Sequence, residues 1–454
     1  MGNRFVSFCG NYAEHFQFQT RDVGTQCQQY LCGLMQANRK NMERMAEVVP
    51  DSDEQSLQHF LSNSNWAERS VLDQVALGAD QLLGGDEESA LILDESGFTK
   101  KGNHSVGVSR QYNGRLGKVD NCQVGVFAAL CHGDRATLID KRLYLPESWT
   151  DTPERCDVAG IPKADQSFKT KPELALEMVR YNRRLGVRFS WVGMDGLYGN
   201  TPELLRMLDK DNEVFVADVH NNQHIYLEDP QPEIPTRKGN RGRHPTKATT
   251  QRKPIKVSTW AKDQEESEWQ QMELRASTKG HLIVEILHRE VWLWDGKEKQ
   301  AHHWRLIIRR EYGCHTEIKY SISNAPGSTT NHRLAQMQGQ RFRIERAFQD
   351  GKSYVGMDHY QARGWKSWNH HMALVMMAML FMLEERIMQE EDTPLLSCSD
   401  ITTLLAHFLP KRAICRDEVI HQMDVRLRNP INSATQSNAN RPLDPIHSGH
   451  PVRY

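Results

Sequence analysis

The chain has 454 residues, with 57 Lys and Arg against 58 Asp and Glu, a formal net charge of -1. That length allows about two to four domains, because single cores stop growing near about 250 to 300 residues. The near-neutral balance excludes a uniformly basic protein but not a nucleic-acid partner, since cations gather between Arg237 and Lys256 and acids between Asp86 and Asp94 and between Glu384 and Asp392. Nine cysteines, an odd number without a CxxC pair, argue against a disulfide framework and for a reducing, cytoplasmic setting. The most apolar segment, Met372 to Leu383, stops at Glu384, short of the roughly 20 residues that span a bilayer. The N-terminus lacks the basic and apolar regions of a secretory signal.

From about Gln26 to Leu83 apolar residues recur at helical spacing, which predicts a small helical domain. Gly84, Gly85 and the acidic stretch after them predict a linker. Ala90 to Asp94 is a short buried-strand run, with Cys122 to Ala129 and Ala136 to Tyr144 as expected antiparallel neighbours. Helical spacing follows at Lys171 to Leu185, a strand at Phe189 to Met194, a helix at Pro202 to Leu208 and a strand at Val214 to Val219. Strands paired first and then alternating with helices describe a mixed α/β sheet. Between Asn221 and Thr330 a Pro, Gly and Arg-rich stretch precedes three period-two segments, His281 to Leu287, Trp304 to Arg309 and Glu317 to Ser323, which predict a β-rich insertion. The chain then reads as helical from Asn331 through Lys352 and from Trp365 to Glu390, before a polar tail expected to be poorly ordered from Arg426.

Three acidic residues in separate settings carry the chemistry. Asp94 closes one apolar strand, Asp195 follows another, and Glu345 sits on an expected helix with Arg341 four residues before and Lys352 seven after. At about 100° per residue those three fall within roughly 40° of one helix face. Converging carboxylates are what two divalent metals need for in-line attack at a phosphodiester. Each residue also has a plainer reading: an aspartate at a strand end is ordinarily a turn or cap residue, and Arg341 with Glu345 is an ordinary i,i+4 pair.

The stretches LDESGFTKKGNHSVG (93–107), RLYLPESW (142–149), KPELAL (171–176), MDGLYG (194–199) and MQGQRFRIERAFQDGKSYVGMDHYQARGWKSW (337–368) shift that balance. Through them the chain resembles, from Tyr30 to Pro410, the DDE transposases of bacterial insertion sequences, most closely the family numbered 701 within the group related to the family numbered 4. The resemblance implies that Asp94, Asp195 and Glu345 are the catalytic acids and ligate two Mg²⁺ or Mn²⁺ ions. It also implies that a Tyr, Arg, Glu, Lys signature holds DNA near the cleaved end. Arg341 and Lys352 match that signature, whereas its tyrosine position is Gln338, an amide that cannot stack as a phenol does. The 150 residues between Asp195 and Glu345 exceed a compact ribonuclease H-like core, and relatives are implied to place there a β-domain that touches transposon-end DNA and can support a hairpin intermediate.

Weaker signals point the same way. Arg237, Lys238, Arg241, Arg243, Lys247, Arg252, Lys253 and Lys256, with no acids among them, form either a phosphate-binding strip or a solvated loop. Lys100 and Lys101 follow Asp94 and are candidates for steering a phosphate. Trp292 and Trp294 suit cross-strand packing better than a flipped base. His302, His303, Cys314 and His315 are too irregular for zinc, and GRLGK (114–118) lacks the upstream glycine and the Ser/Thr of a P-loop, which excludes a nucleotide cofactor. The Met-rich helix from Met372 reads as core, and Arg39, Lys40 and Arg44 offer an N-terminal basic face without a helix-turn-helix signature.

The expected architecture is thus a ribonuclease H-like mixed α/β sheet (86–222 and 331–395), interrupted by a β-rich insertion (223–330), preceded by a helical DNA-binding domain (1–85) and followed by a tail (396–454). The expected function is metal-dependent cleavage at transposon ends and strand transfer into target DNA. The expected partners are double-stranded DNA, as terminal inverted repeats and target, and a second copy of the chain, at the nucleoid and without a membrane. The alternatives are a nuclease of the same fold without strand transfer and a catalytically silent DNA-binding relic.

Overall fold

The computed structural model describes residues 1–236, 244–277, 280–314 and 317–413, together with 416, 417, 419, 420 and 423. Five helices open the chain: α1 (Gly2–Gly10), α2 (Gly24–Gln36), α3 (Met42–Val48), α4 (Glu54–Ser62) and α5 (Glu68–Leu83). The sheet strands are β1 (Ala90–Thr99), β2 (Ser109–Asn113), β3 (Lys118–His132) and β4 (Arg135–Leu143). Helix α6 (Lys171–Leu185) starts at a capping box between Thr170 and Glu173 and stops at Gly186, whose φ of 99° suits glycine. Then come β5 (Trp191–Met194), α7 (Gly196–Gly199), α8 (Pro202–Lys210) and β6 (Phe215–Val219). The insertion supplies β7 (Gln270–Ser277), β8 (Gly280–Leu293), β9 (His302–Glu311) and β10 (Ile318–Ser323). Helices α9 (Asn331–Gln340), α10 (Arg343–Tyr354), α11 (Trp365–Met388) and α12 (Cys398–Phe408) complete the described fold.

One ten-stranded sheet runs in the order β7-β8-β9-β10-β6-β5-β1-β3, and β2 and β4 both pair with the far edge of β3. Strands β1, β5 and β6 are parallel and their outer partners antiparallel, a mixed sheet consistent with the ribonuclease H-like class. Two details differ from the sequence reading. The segment from Ala136 pairs with β3 rather than with β1. The β-rich insertion does not stand apart: β10 lies antiparallel on β6, with Ser321 opposite Asp218, so the insertion lengthens the same sheet.

Helix α11 is apolar on every side and buried from Ser367 through Leu383, as a helix without a polar face must be. The N-terminal helices surround it. Phe5 and Phe8 meet the Phe381 ring at 5.0 and 5.3 Å, Trp66 stacks on His370 at 3.8 Å, and the core is continuous from Phe5 to Leu409. Helix α12 opens the segment expected as a tail: its Ser397 and Asp400 form a capping box, and it buries Cys398, Ile401 and Leu405. The rest of that segment, from 424 onward, lies outside the described residues. No helix among the described residues is long and apolar enough to cross a membrane.

Candidate active site

Parallel pairing sets Leu93 of β1 opposite Met194 of β5, so Asp94 and Asp195, each one residue further on, stand side by side where that pairing stops; β5 ends there, whereas β1 does not close at Asp94 but runs on to Thr99. Crevices at carboxyl ends of parallel strands are where α/β sheets place ligands. Asp195 caps α7 by accepting a hydrogen bond of 3.0 Å from the Leu197 N–H, and Asp94 accepts one of 2.7 Å from the Glu95 N–H. Glu95 joins them: one oxygen each from Asp94, Glu95 and Asp195 lie within 4.8 Å of one another. Lys171 donates to Glu95 Oε1 at 2.9 Å and the Tyr198 hydroxyl to Oε2 at 3.0 Å, which fixes its carboxylate.

Desolvation, then repulsion from Asp195, holds the Asp94 carboxyl well above the usual carboxylate range, while Arg341 pulls it back. Asp195 is raised for the same reasons, with Glu95 as the repelling neighbour. Three crowded oxygens in a half-buried setting are a poor resting arrangement for the protein alone, and a hard divalent cation is the partner that relieves it. These donors therefore fit a metal.

Glu345 stands in the first turn of α10 and lines the same cleft, of about 560 Å³, with Asp94, Asp195, Phe348 and Lys352. It is not one of the three clustered carboxylates. Its side chain is 58% exposed and accepts from Arg341 Nη2 at 3.3 Å, so the i,i+4 pair is present alongside the cleft position. The single helix expected from Asn331 through Lys352 is two: α9 ends at Gln340, α10 begins at Arg343, and Arg341 occupies the joint. From there Arg341 Nε donates to Asp218 Oδ2 at 2.8 Å.

Gln338 is buried away from the cleft. Its Oε1 accepts from Arg309 Nε at 2.9 Å and its Nε2 donates to Ser321 Oγ at 2.7 Å. Lys352 reaches the cleft past the rings of Phe98 and Phe348, at 5.5 and 5.9 Å from their centroids. Lys100 is placed elsewhere: its ammonium donates to the Tyr360 carbonyl at 3.3 Å and lies 4.0 Å over that ring, and burial pushes its pKa down to about 8. Lys101 is exposed in the loop before β2. Arg237, Lys238, Arg241 and Arg243 lie outside the described residues; Lys247, Arg252, Lys253 and Lys256 are exposed, and Arg252 pairs with Glu228 at 2.5 Å. Trp292 packs across the strands on His303, 4.6 Å between centroids.

Sequence reasoning missed Glu95, Lys171, Tyr198 and Asp218. The first three lie within LDESGF, KPELAL and MDGLYG, stretches singled out for other reasons, and only sheet pairing brings them together.

A family model described as a DDE superfamily endonuclease matches residues 12–281, a span that contains both aspartates and ends before Glu345. The chain is 25% identical, over 364 residues covering 78% of its length and 82% of the other, to a probable transposase for insertion sequence element IS701 from Microchaete diplosiphon.

Proposed function

Since the chain belongs to the DDE superfamily endonucleases, we propose that it is the transposase of an insertion element, cutting double-stranded DNA at the element's terminal inverted repeats and joining the freed ends to target DNA. The observation that carries this reading is the placement of Asp94 and Asp195 side by side just past the parallel pairing of β1 and β5, with Glu345 and Lys352 lining the same cleft. The likeness to an IS701 transposase supports transposition over cleavage alone.

Asp94, Asp195 and Glu345, with Glu95 beside them, would hold two divalent cations, Mg²⁺ or Mn²⁺, which supply activation of the attacking water or 3′-hydroxyl and charge compensation at the leaving oxygen. The chain's own residues do the rest. Lys171 and Tyr198 keep Glu95 turned toward Asp195. Arg341 offsets part of the repulsion between the aspartates. Lys352, which lines the cleft, would hold a phosphate of the scissile strand, and Lys101, Arg241 and Arg243 would add phosphate contacts that screen with salt. Lys100, held on Tyr360, would contribute only after leaving that ring. Two copies of the chain would pair the two element ends.

The test is excision and joining in Mg²⁺ with purified protein and a plasmid carrying the native flanking DNA. Joined products that vanish in Asp94→Ala, Asp195→Ala and Glu345→Ala, each tested alone, are expected. Cleavage without joining would make the protein a nuclease, and DNA binding without cleavage would make it a silent relic.

A further inference from the structure

Lys171 is committed to Glu95, but Arg341, another cation that acts on the acidic cluster, has competing partners for its guanidinium. Asp218, on β6, holds Nε at 2.8 Å; Glu345, exposed, takes Nη2 at 3.3 Å. Asp94 and Asp195 act on it electrostatically as well. If Arg341 turned fully onto the aspartates it would occupy the oxygens a metal needs. Something must hold it back.

We propose that Asp218 is a positioning residue that keeps Arg341 from closing on Asp94 and Asp195, and that Ser321 and Gln338 aim Asp218 for that task. This rests on the metal-dependent reading of the cleft and deepens it. The chain of donors has one direction. Arg309 Nε donates to Gln338 Oε1, which leaves the Gln338 amide nitrogen to donate to Ser321 Oγ at 2.7 Å. The Ser321 hydroxyl, its lone pair engaged, donates to Asp218 Oδ1 at 2.6 Å. Asp218 Oδ2 is then the oxygen left for Arg341. The backbone beneath is equally fixed: Ser321 sits opposite Asp218 across the β10 and β6 ladder, and a Cβ on Gly199 would meet the Asp218 carbonyl oxygen. The amide at 338 thus accepts from Arg309 through its oxygen and donates to Ser321 through its nitrogen, two separate atoms serving the two partners. Arg309 and Ser321 both belong to the insertion, so the insertion supports the active site directly.

The experiment is Mn²⁺ binding to the full chain without DNA, followed by electron paramagnetic resonance, for wild type, Asp195→Asn, Asp218→Asn, Gln338→Glu and Arg341→Gln, and for Asp218→Asn combined with Arg341→Gln. Outer partners of metal ligands typically cost about 10- to 100-fold in affinity when lost, and the lower end, about tenfold, is expected for Asp218→Asn. Gln338→Glu keeps its volume and its Arg309 partner but cannot donate to Ser321, and should weaken binding in the same direction. In the Arg341→Gln background Asp218→Asn should change affinity less than about twofold, because the residue to be restrained is gone. Wild-type affinity in Asp218→Asn, or a tenfold loss that persists without Arg341, would overturn the proposal. Mn²⁺ binding that survives Asp195→Asn unchanged would instead overturn the metal reading on which it rests.

Discussion

Glu95 reaches the acidic cluster with both oxygens already engaged, one by the Lys171 ammonium and one by the Tyr198 hydroxyl. It can therefore help gather a cation without adding a full uncompensated charge to a site where burial already lifts Asp94 and Asp195. Glu95→Gln keeps the shape and can still accept from Tyr198, but loses the charge that Lys171 and a metal both read. We predict that the metal concentration for half-maximal DNA cleavage rises about tenfold in this variant, with most of the rate regained at saturating metal. Asp195→Asn should stay inactive at any concentration. Equal metal dependence in wild type and Glu95→Gln would remove Glu95 from the site. The two aspartates were legible because each follows an apolar run, which is a local signal even though β1 continues past Asp94 to Thr99. Glu95 was not, because consecutive strand residues ordinarily point to opposite faces, and only the position of Asp195 past the end of β5 brings it within reach of both.

Elements with their own periodicity were read nearly to the residue, and α6, from Lys171 to Leu185, is the clearest case because cap, apolar stripe and terminal glycine agree. Pairings between distant segments carry no such mark. Ser321 and Asp218 are adjacent only through the β10 and β6 ladder, so the insertion read as a body of its own although it extends the sheet. Helix α11 was legible as core from its methionines and leucines, but its two buried histidines had no counterpart in the pattern. His371 donates from Nε2 to the Gly356 carbonyl and accepts at Nδ1 from the Tyr30 hydroxyl, which suits the neutral ring, and burial pushes its pKa down to about 3. An unfolded histidine takes up its proton near pH 6.5 whereas this one does not until about 3, so between those values the unfolded state binds more protons and stability falls as pH falls. We predict that acidification from pH 7 to 5 lowers the unfolding free energy by up to about 1.4 kcal/mol per pH unit below 6.5 from this residue. Denaturant titrations at each pH should show a shallower decline in His371→Gln. An identical slope in both would mean the ring is charged in the native state.

On the scale of the whole molecule, the question is whether residues 1–85 form a detachable DNA-binding domain, as their helical periodicity suggested. Their contacts argue otherwise. Arg4 forms a two-pronged ion pair with Glu385, whose carboxylate is 1% exposed, with both bonds at 2.7 Å. Tyr30 hydrogen-bonds His371, and a Cβ on Gly78 would come within 3.0 Å of Leu380. All of these partners lie on α11, which has no polar face to present to water in their absence. Removing α1 to α5 would uncover Phe381 and the leucines and methionines beside it, at about 1.5 to 3 kcal/mol for each large side chain returned to solvent. It would also leave Glu385 buried or bare without its cation. Such a loss exceeds the whole stability of most domains, about 5 to 15 kcal/mol. We therefore predict that a chain beginning at Asp86 is recovered as aggregate, while the full chain unfolds in one denaturant transition followed equally by tryptophan fluorescence and circular dichroism. A soluble, monomeric 86–413 with its own cooperative transition would show that the N-terminal helices are a separate domain after all. The basic face expected at Arg39, Lys40 and Arg44 is not open, since Lys40 is buried on the Ala37 carbonyl and Arg44 pairs with Glu47 at 2.6 Å; in the expected case that segment cannot move without disturbing α11, the helix that packs against β4.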